Sequence, residues 1–356
     1  MTDDSAAEAR YAKGCAARWS KTATMAVTLN DVALRAGVSR SAVSRSFTPG
    51  ASVSPKMRAK VDRAAADLGY SPNMIARSLM TGKTQLIGLV SNNFHNPVFL
   101  QIFDQFTRRL QEHGLRPLLV NLSDEVDPAR SVQLLRAYSV EGVILASSEL
   151  PDGFAAAFVD AGLPVVHAFG RASVQRCVNL VGIDNHQAGR MAAATLIARG
   201  YHRIGFMGGP QGASTTMDRM AGFLAEVAQR TGIAASVSFA GAYRFENGRA
   251  QMLQLLADCP AQAYFCADDV LSVGALSAAQ SMGLAVPGDL GLIGLNDMEM
   301  AGWPNINLTT IHQPFEAMIE AAIDLMLATL ADPTRAPETR LLPCRLVERG
   351  TLRGFV

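Results

Sequence analysis

Residues 28–83 carry four helix-start signals in succession, and no other feature of this 356-residue chain restricts its folding so closely. The segment reads TLNDVALRAGVSRSAVSRSFTPGASVSPKMRAKVDRAAADLGYSPNMIARSLMTGK. Thr28 lies three residues before Asp31, a variant of the capping box ahead of the apolar positions Val32, Ala33 and Ala36. Gly37 can take a positive φ at little cost, so Ala36-Gly37-Val38 predicts a tight turn between two helices. Ser39 is the expected cap of the second helix, whose inward side is Ala42, Val43 and Phe47. After Pro49-Gly50, Ser54-Pro55 predicts a third helix with proline at its first position, ended by Gly69. Ser71-Pro72 repeats that signal for a short fourth. Capped helices so close together specify a small helical module.

The outward side of the second helix holds Arg40, Ser41, Ser44 and Arg45. An arginine fork matches two acceptors on the major-groove edge of guanine, and serine can donate or accept. In a helix-turn-helix the first residues of the second helix meet base edges. A merely solvated helix face would look the same in isolation, and charge separates the two readings. Residues 27–85 hold nine Lys/Arg against three Asp/Glu, and the first 26 residues hold four against three. With a total of +1, the rest of the chain is left at −6. A basic head on an acidic body is the footprint of phosphate binding by one part only.

From Gln85 onward the pattern changes to short apolar strands alternating with amphipathic helices. LIGLVS, RPLLVNLS, GVILAS and PVVHAF read as strands, with helices from Phe99 to His113 and from Asp127 to Tyr138. The alternation restarts after Asp184-Asn185, with a helix to Arg199, strand RIGFMGG, a helix from Arg219 and a strand near Val237. A further helix leads to strand AYFCAD, helix Val270 to Met282 and strand LGLIGL. This rhythm predicts an α/β body of two parallel-sheet lobes with helices on both faces. The length accommodates two or three domains with sizeable cores. Five cysteines (Cys15, Cys177, Cys259, Cys266 and Cys344) form no CxxC pair and read as reduced thiols, each most simply a small buried hydrophobe. No apolar run is long enough for a transmembrane helix, and the charged first 24 residues lack a signal peptide's apolar core, so a cytoplasmic protein is expected.

Several segments, in order, resemble the signatures of the lactose-repressor (LacI/GalR) family of bacterial transcriptional regulators. They are VTLNDVALRAGVSRSAVSR, SPNMIARSLMTGKTQLIGLV, NPVF, VGIDNHQAGRMAAATLIARGYHRIGFMGGP, DRMAGF, CADDVLSVGAL, GLNDMEMA and LTTIHQPF, and the resemblance spans about residues 27 to 350. It implies four parts: an N-terminal extension over 1–26, a helix-turn-helix domain over 27–70, a hinge helix and linker over 71–84, and a two-lobed periplasmic-binding-protein-like effector and dimerisation domain over 85–356. The extension is rich in small residues with scattered charge, which suggests a disordered tail. It is either an accessory arm or lies upstream of a start at Met25, and the second reading is preferred because family members begin close to the VTL-like motif.

The same resemblance implies partners and roles. A homodimer sets two heads on a pseudo-palindromic operator in double-stranded DNA. The hinge segment is short for an independent helix and is expected to order with partner and DNA. Leu79 matches the family's minor-groove wedge, Ala76 is expected near the groove floor, and Asn73 and Arg77 near the backbone or the partner hinge. Thr28, Arg40, Ser41, Ser44 and Arg45 complete the DNA-facing set. The chain is expected to cross between lobes near His186, Asn307 and Leu341, with a small-molecule effector, a sugar or derivative, in the cleft.

Ligands of such sheets lie beyond the carboxyl ends of the strands. Asn92, Asn93 and Phe99 follow the first strand, Ser147 the third, Phe169 and Arg171 the fourth, and Asn296 the strand LGLIGL. Arg219 and Asp269, and then Gln313 and Phe315, are similar to family effector positions, with Asp268 capping the helix that Asp269 begins. Phe99, Phe169 and Phe315 would suit stacking on a sugar ring or base. Arg171 and Arg219 would also suit an anionic sugar. Each site residue has a plainer reading: Asn92-Asn93 can simply close a turn. Phe169 departs from the polar residue many members carry there.

No cofactor, metal site or catalysis is expected. Adjacent aspartates point apart and offer no metal shell, and GGPQG lacks the Lys-Ser/Thr ending of a phosphate-binding P-loop. The chain ends at LPCRLVERGTLRGFV without a leucine heptad tail, which favours a dimer over a tetramer. Two alternatives stay open: a free-standing sugar-binding protein, and a repressor with a purine-type corepressor. Whether the effector releases or promotes DNA binding is not readable, and release is the expectation.

Overall fold

The computed structural model describes residues 27–48, 50–122, 128–147, 150, 153–171, 178–258 and 260–355. The expectations for the extension 1–26, and for Cys15, Cys177, Cys259 and Asp127, lie outside the described residues. The chain divides into two compact units that meet in sequence at Thr84 and Gln85.

The first unit contains helices α1 (Leu29–Ala36), α2 (Arg40–Ser46), α3 (Pro55–Leu68) and α4 (Met74–Thr81). The caps form as expected. Thr28 and Asp31 close a reciprocal capping box, Ser39 and Ser54 accept from Ala42 and Met57 backbone amides, and Gly37 and Gly69 end their helices in the left-handed region at φ 59° and 65°. Val32, Ala33, Ala36, Val43, Val61, Ala64 and Ala65 form the core that α1 to α3 share. Ser46, not foreseen, is also buried there, and its backbone carbonyl accepts from Arg58 Nη1 at 2.6 Å. Helix α4 starts later than the Ser71-Pro72 signal implied. Arg77 N–H bonds the Asn73 carbonyl, so the first turn opens on Asn73.

The second unit has two lobes. The first is a parallel sheet of β1 (Leu86–Ser91), β2 (Arg116–Asn121), β3 (Gly142–Ala146), β4 (Val165–Ala168), β5 (Asn179–Ile183) and β11 (Thr339–Leu342), in the order β11-β5-β4-β3-β1-β2. Helices α5 (Val98–Glu112), α6 (Pro128–Ala137), α7 (Phe154–Asp160) and α12 (Phe315–Ala331) belong to this lobe. The second sheet is β12-β10-β9-β8-β6-β7, built from β6 (Arg203–Gly208), β7 (Ala234–Phe239), β8 (Ala263–Cys266), β9 (Gly291–Asn296), β10 (Thr310–His312) and β12 (Arg345–Val347). Helices α8 (Asn185–Ala198), α9 (Ser214–Val227), α10 (Phe245–Asp258) and α11 (Asp269–Ser281) flank it. Its strand β12 runs antiparallel to β10, an edge strand of the opposite sense that the sequence reading did not foresee. Inner strands such as β3, β5, β8 and β9 are buried at every residue, as a sheet covered on both faces requires.

Several boundaries differ from expectation. Strand β5 and helices α7 and α12 were not foreseen: α7 has seven residues and too few periods for a pattern, and the sequence reading marked no start signal for β5 or α12. Helix α9 begins at Ser214, so Arg219 sits in its second turn instead of opening it. The chain crosses between lobes at Ile183–Asn185, at His312–Phe315 and between β11 and β12. The second crossing lies beyond Asn307 because Thr310–His312 still pairs with β9 before the chain leaves the lobe.

Candidate DNA interface and effector cleft

On the head, Arg40, Ser41 and Arg45 are exposed along α2, and Ser44 is half-buried beside them. Ser41 Oγ lies 2.9 Å from Ser39 Oγ, so its hydroxyl is already oriented by the cap. Thr28 is exposed, yet its hydroxyl donates to Asp31 Oδ2 at 2.7 Å, which engages it within the head. That cap, through the backbone N–H of Thr28 above all, holds the Asp31 carboxyl below its usual range. On α4, Leu79 is 83% exposed, an apolar side chain standing in solvent. Asn73 is exposed and Arg77 half-buried; the side chain of Ala76 lies outside the described set.

In the second unit both sheets reverse strand order beside their first strands, β1 and β6, which opens a crevice beyond the strand ends. A cavity of about 40 Å³ lies there, lined by residues of both lobes. Asn93, Asn96, Phe99, Phe169 and Phe315 come from the first lobe and its helix α12. Asn185, Arg219, Tyr243, Asp268 and Asn296 come from the second, with Gln313 on the crossing between them. Asn96 of the first lobe meets Asp268 of the second there at 2.9 Å, so the two lobes touch at the cavity.

A polar network fills the cleft. Asp268 caps α11 through Oδ1 to the Val270 N–H at 2.8 Å, and its Oδ2 accepts from Asn96 Nδ2 and Asn296 Nδ2, each at 2.9 Å. Asn296 in turn accepts from Gln313 Nε2 at 2.6 Å. The Asn96 bond joins the two lobes directly. Arg219 donates from Nε to Asn185 Oδ1 and from Nη1 to the Ala267 carbonyl, both at 2.8 Å. Burial pushes the Asp268 carboxyl up to about 6 against the pull of its donors. Asn296 and Phe169 hold positive φ angles of 125° and 67°, backbone strain located at the cavity. The three phenylalanines meet edge-on, with Phe169 centred 6.4 Å from Phe99 and 5.9 Å from Phe315.

Seven of the expected effector residues line this cavity: Asn93, Phe99, Phe169, Arg219, Asn296, Gln313 and Phe315. Four do not. Asp269 is 0% exposed and turned toward the sheet, accepting from the Met298 N–H at 2.8 Å and Thr310 Oγ1 at 2.6 Å. Its neighbour Asp268, which the sequence favoured as the cap without separating it firmly from Asp269, does cap the helix and is also the carboxylate in the cleft. Arg171 lies outside the cavity and pairs across the lobes with Asp218 at 3.3 Å. Ser147 is buried and donates to Asn92 Oδ1, which binds these two residues to each other away from the lining. Sequence reasoning missed Tyr243 and the apolar lining of Ile102, Ile183 and Met318, and left Asn185 open between the interlobe crossing and the ligand. Thr215, whose buried Oγ1 has no partner, stands one turn before Arg219 on α9 but outside the cavity lining.

A helix-turn-helix head followed by two lobes closing on a polar cleft defines an effector-controlled DNA-binding regulator. Residues 28–73 match the family described as bacterial regulatory proteins, lacI family, and residues 193–352 match a periplasmic binding protein-like domain. Among curated relatives, the HTH-type transcriptional repressor PurR of Escherichia coli O139:H28 (strain E24377A / ETEC) is 32% identical over 331 residues, covering 91% of this chain and 96% of that one. The chain belongs to the lacI family, and it is a DNA-binding repressor of that family. Among solved structures, the lac repressor dimer bound to operator and the anti-inducer ONPF aligns with a TM-score of 0.83 at 28% identity, covering 93% of this chain and all of that one. The transcriptional regulator CelR in complex with cellobiose aligns at 0.69 and 29% identity, covering 91% of this chain and 99% of that one. These relatives are regulators and not enzymes. Among the described residues, no helix is long and apolar enough to cross a membrane.

Proposed function

We propose that this repressor acts as a cytoplasmic homodimer on a two-fold operator and is released from it by a neutral, polyhydroxylated effector of the sugar class. The observation that carries the effector class is the charge balance of the cleft. One arginine and one aspartate line it, Arg219 and Asp268, beside the amides Asn93, Asn96, Asn185, Asn296 and Gln313. Arg171, the second cation an anionic sugar would want, is engaged by Asp218 outside the cavity. Amides that donate and accept suit hydroxyl groups, and the phenylalanines suit a ring's apolar face.

Leu79 is the minor-groove wedge in this reading, and Arg40, Ser41, Ser44 and Arg45 read the major groove. Exposed Leu100 on α5, Leu119 on the edge strand β2, and Leu134 and Tyr138 of the α6 region supply apolar surface for a second copy. The relation to PurR and the aromatic lining favour one other reading, a purine corepressor.

Thermal unfolding against neutral sugars, sugar acids, sugar phosphates and nucleobases separates these. A compound at a hundred times its dissociation constant stabilises the folded core by about 2.7 kcal/mol. A neutral sugar that raises the midpoint and releases operator DNA is the expected result. A nucleobase that tightens operator binding would replace it with the corepressor reading.

A further inference from the structure

Helices α8 and α9 approach more closely than side chains allow, and their point of contact is Arg219. A Cβ placed on Gly189 of α8 would lie 2.0 Å from the Arg219 carbonyl oxygen and 2.8 Å from the Phe223 nitrogen. A Cβ on Gly222 of α9 would lie 2.0 Å from the carbonyl oxygen of His186. Each obstacle is backbone, so neither helix can yield by turning a side chain. The residues pressed together are those that reach the cleft. Asn185, one residue before His186, accepts the Arg219 Nε–H at 2.8 Å, and both line the cavity. Asp218, next to Arg219, takes the interlobe ion pair from Arg171 and lies 3.4 Å from His186 Nε2. Helix α8 itself starts where the chain has just crossed from the first lobe.

We infer that Gly189 and Gly222 are positioning residues for effector binding: their backbone-to-backbone contact sets the separation at which Arg219 meets Asn185 and faces the cleft. This rests on the cleft being the effector site. A residue larger than glycine at either position moves α9 away from α8, because the overlap is too large for the rigid backbones to absorb in place. Arg219 then leaves Asn185, whatever compound fills the cavity.

The test reads Arg219 without any effector. In full-length protein labelled with ¹⁵N-arginine, the Arg219 Nε–H signal is assigned by its disappearance in Arg219→Lys. Arg199, buried at the far end of α8 with Nη1 bonded to the Arg353 carbonyl, serves as the internal reference. Gly189→Ala, and separately Gly222→Ala, should shift the Arg219 signal and speed its solvent exchange about fivefold or more, the factor that loss of one ordinary hydrogen bond gives. The Arg199 signal should stay in place. An unchanged Arg219 signal in either folded variant overturns the inference, as does an equal change at Arg199. Failure of both variants to fold also overturns it, since the contact would then be a requirement of the fold and not a device that places one side chain. A sugar panel without hits would sink the effector reading and leave this measurement standing, so the two failures are distinguishable.

Discussion

Two adjacent aspartates at the start of α11 face opposite ways, and the difference decides what each does. Asp268 points into the cleft and bonds Asn96 across the lobes; Asp269 points into the sheet. Asp268→Ala should therefore abolish the effector-induced change in operator affinity, measured by titration of labelled operator. Retention of the response would remove Asp268 from the site. Asp269 belongs to stability instead. Burial pushes its carboxyl from 3.8 up to about 7, so between those values the folded state holds a proton that the unfolded chain has released. Stability from this group is full below about pH 4 and is lost as pH rises toward 7. Asp269→Asn should flatten the decline of the unfolding midpoint across that window, and an unaltered slope would show that Asp269 does not set it. In the head, Arg45→Ala should reduce discrimination between operator and random DNA by ~1–3 kcal/mol. An equal loss on both sequences would make Arg45 a phosphate contact.

Among the elements, α4 stands apart because its described apolar residue Leu79 is exposed at 83%. A helix of eight residues has little stability of its own, so its function depends on what Leu79 enters. Leu79→Ala should weaken operator binding and leave effector affinity unchanged; full operator affinity would refute the wedge. Helix α2 is shorter still, and its start depends on the Ser39 cap, which accepts from Ala42 at 3.2 Å. Loss of that hydroxyl in Ser39→Ala should destabilise the head by about 1 kcal/mol. The same change also frees Ser41, so operator affinity should fall with it. Calorimetry of the full chain would separate this unfolding from that of the second unit, and an unaltered head transition would show the cap to be dispensable.

At the scale of the molecule, the two lobes of the second unit meet at the cavity, with Asn96 occupying the carboxylate of Asp268. An effector that takes this carboxylate must displace that bond. Asn96→Ala removes the direct tie, so effector-free protein should open and its radius of gyration by small-angle scattering should rise. An unchanged radius would place closure elsewhere, with Arg171 and Asp218 the next pair to examine. In the proposed reading operator and effector act on one two-state molecule, so their coupling is reciprocal: operator should alter effector affinity by the factor by which effector alters operator affinity.

The capped helices α1 to α3 of the head, eight of the strands and the family to which the chain belongs were legible in the sequence, because caps, turns and burial period are local and repeat within a few residues. Seven cavity residues were legible for a related reason: each follows the end of a strand or matches a motif whose place in the fold is constant. Other features depended on the tertiary structure. Asp268 and Asp269 are equivalent by composition, and only the direction of α11 against β9 and β10 separates them. Arg171 carries a charge suited to an anion until Asp218 of the other lobe meets it. Short α7 carries too few residues for a period, and the antiparallel β12 is defined only by its neighbour. Sequence specifies local geometry, whereas the partner of a polar group is fixed by residues far along the chain, and those partners decide which side chains remain for a ligand.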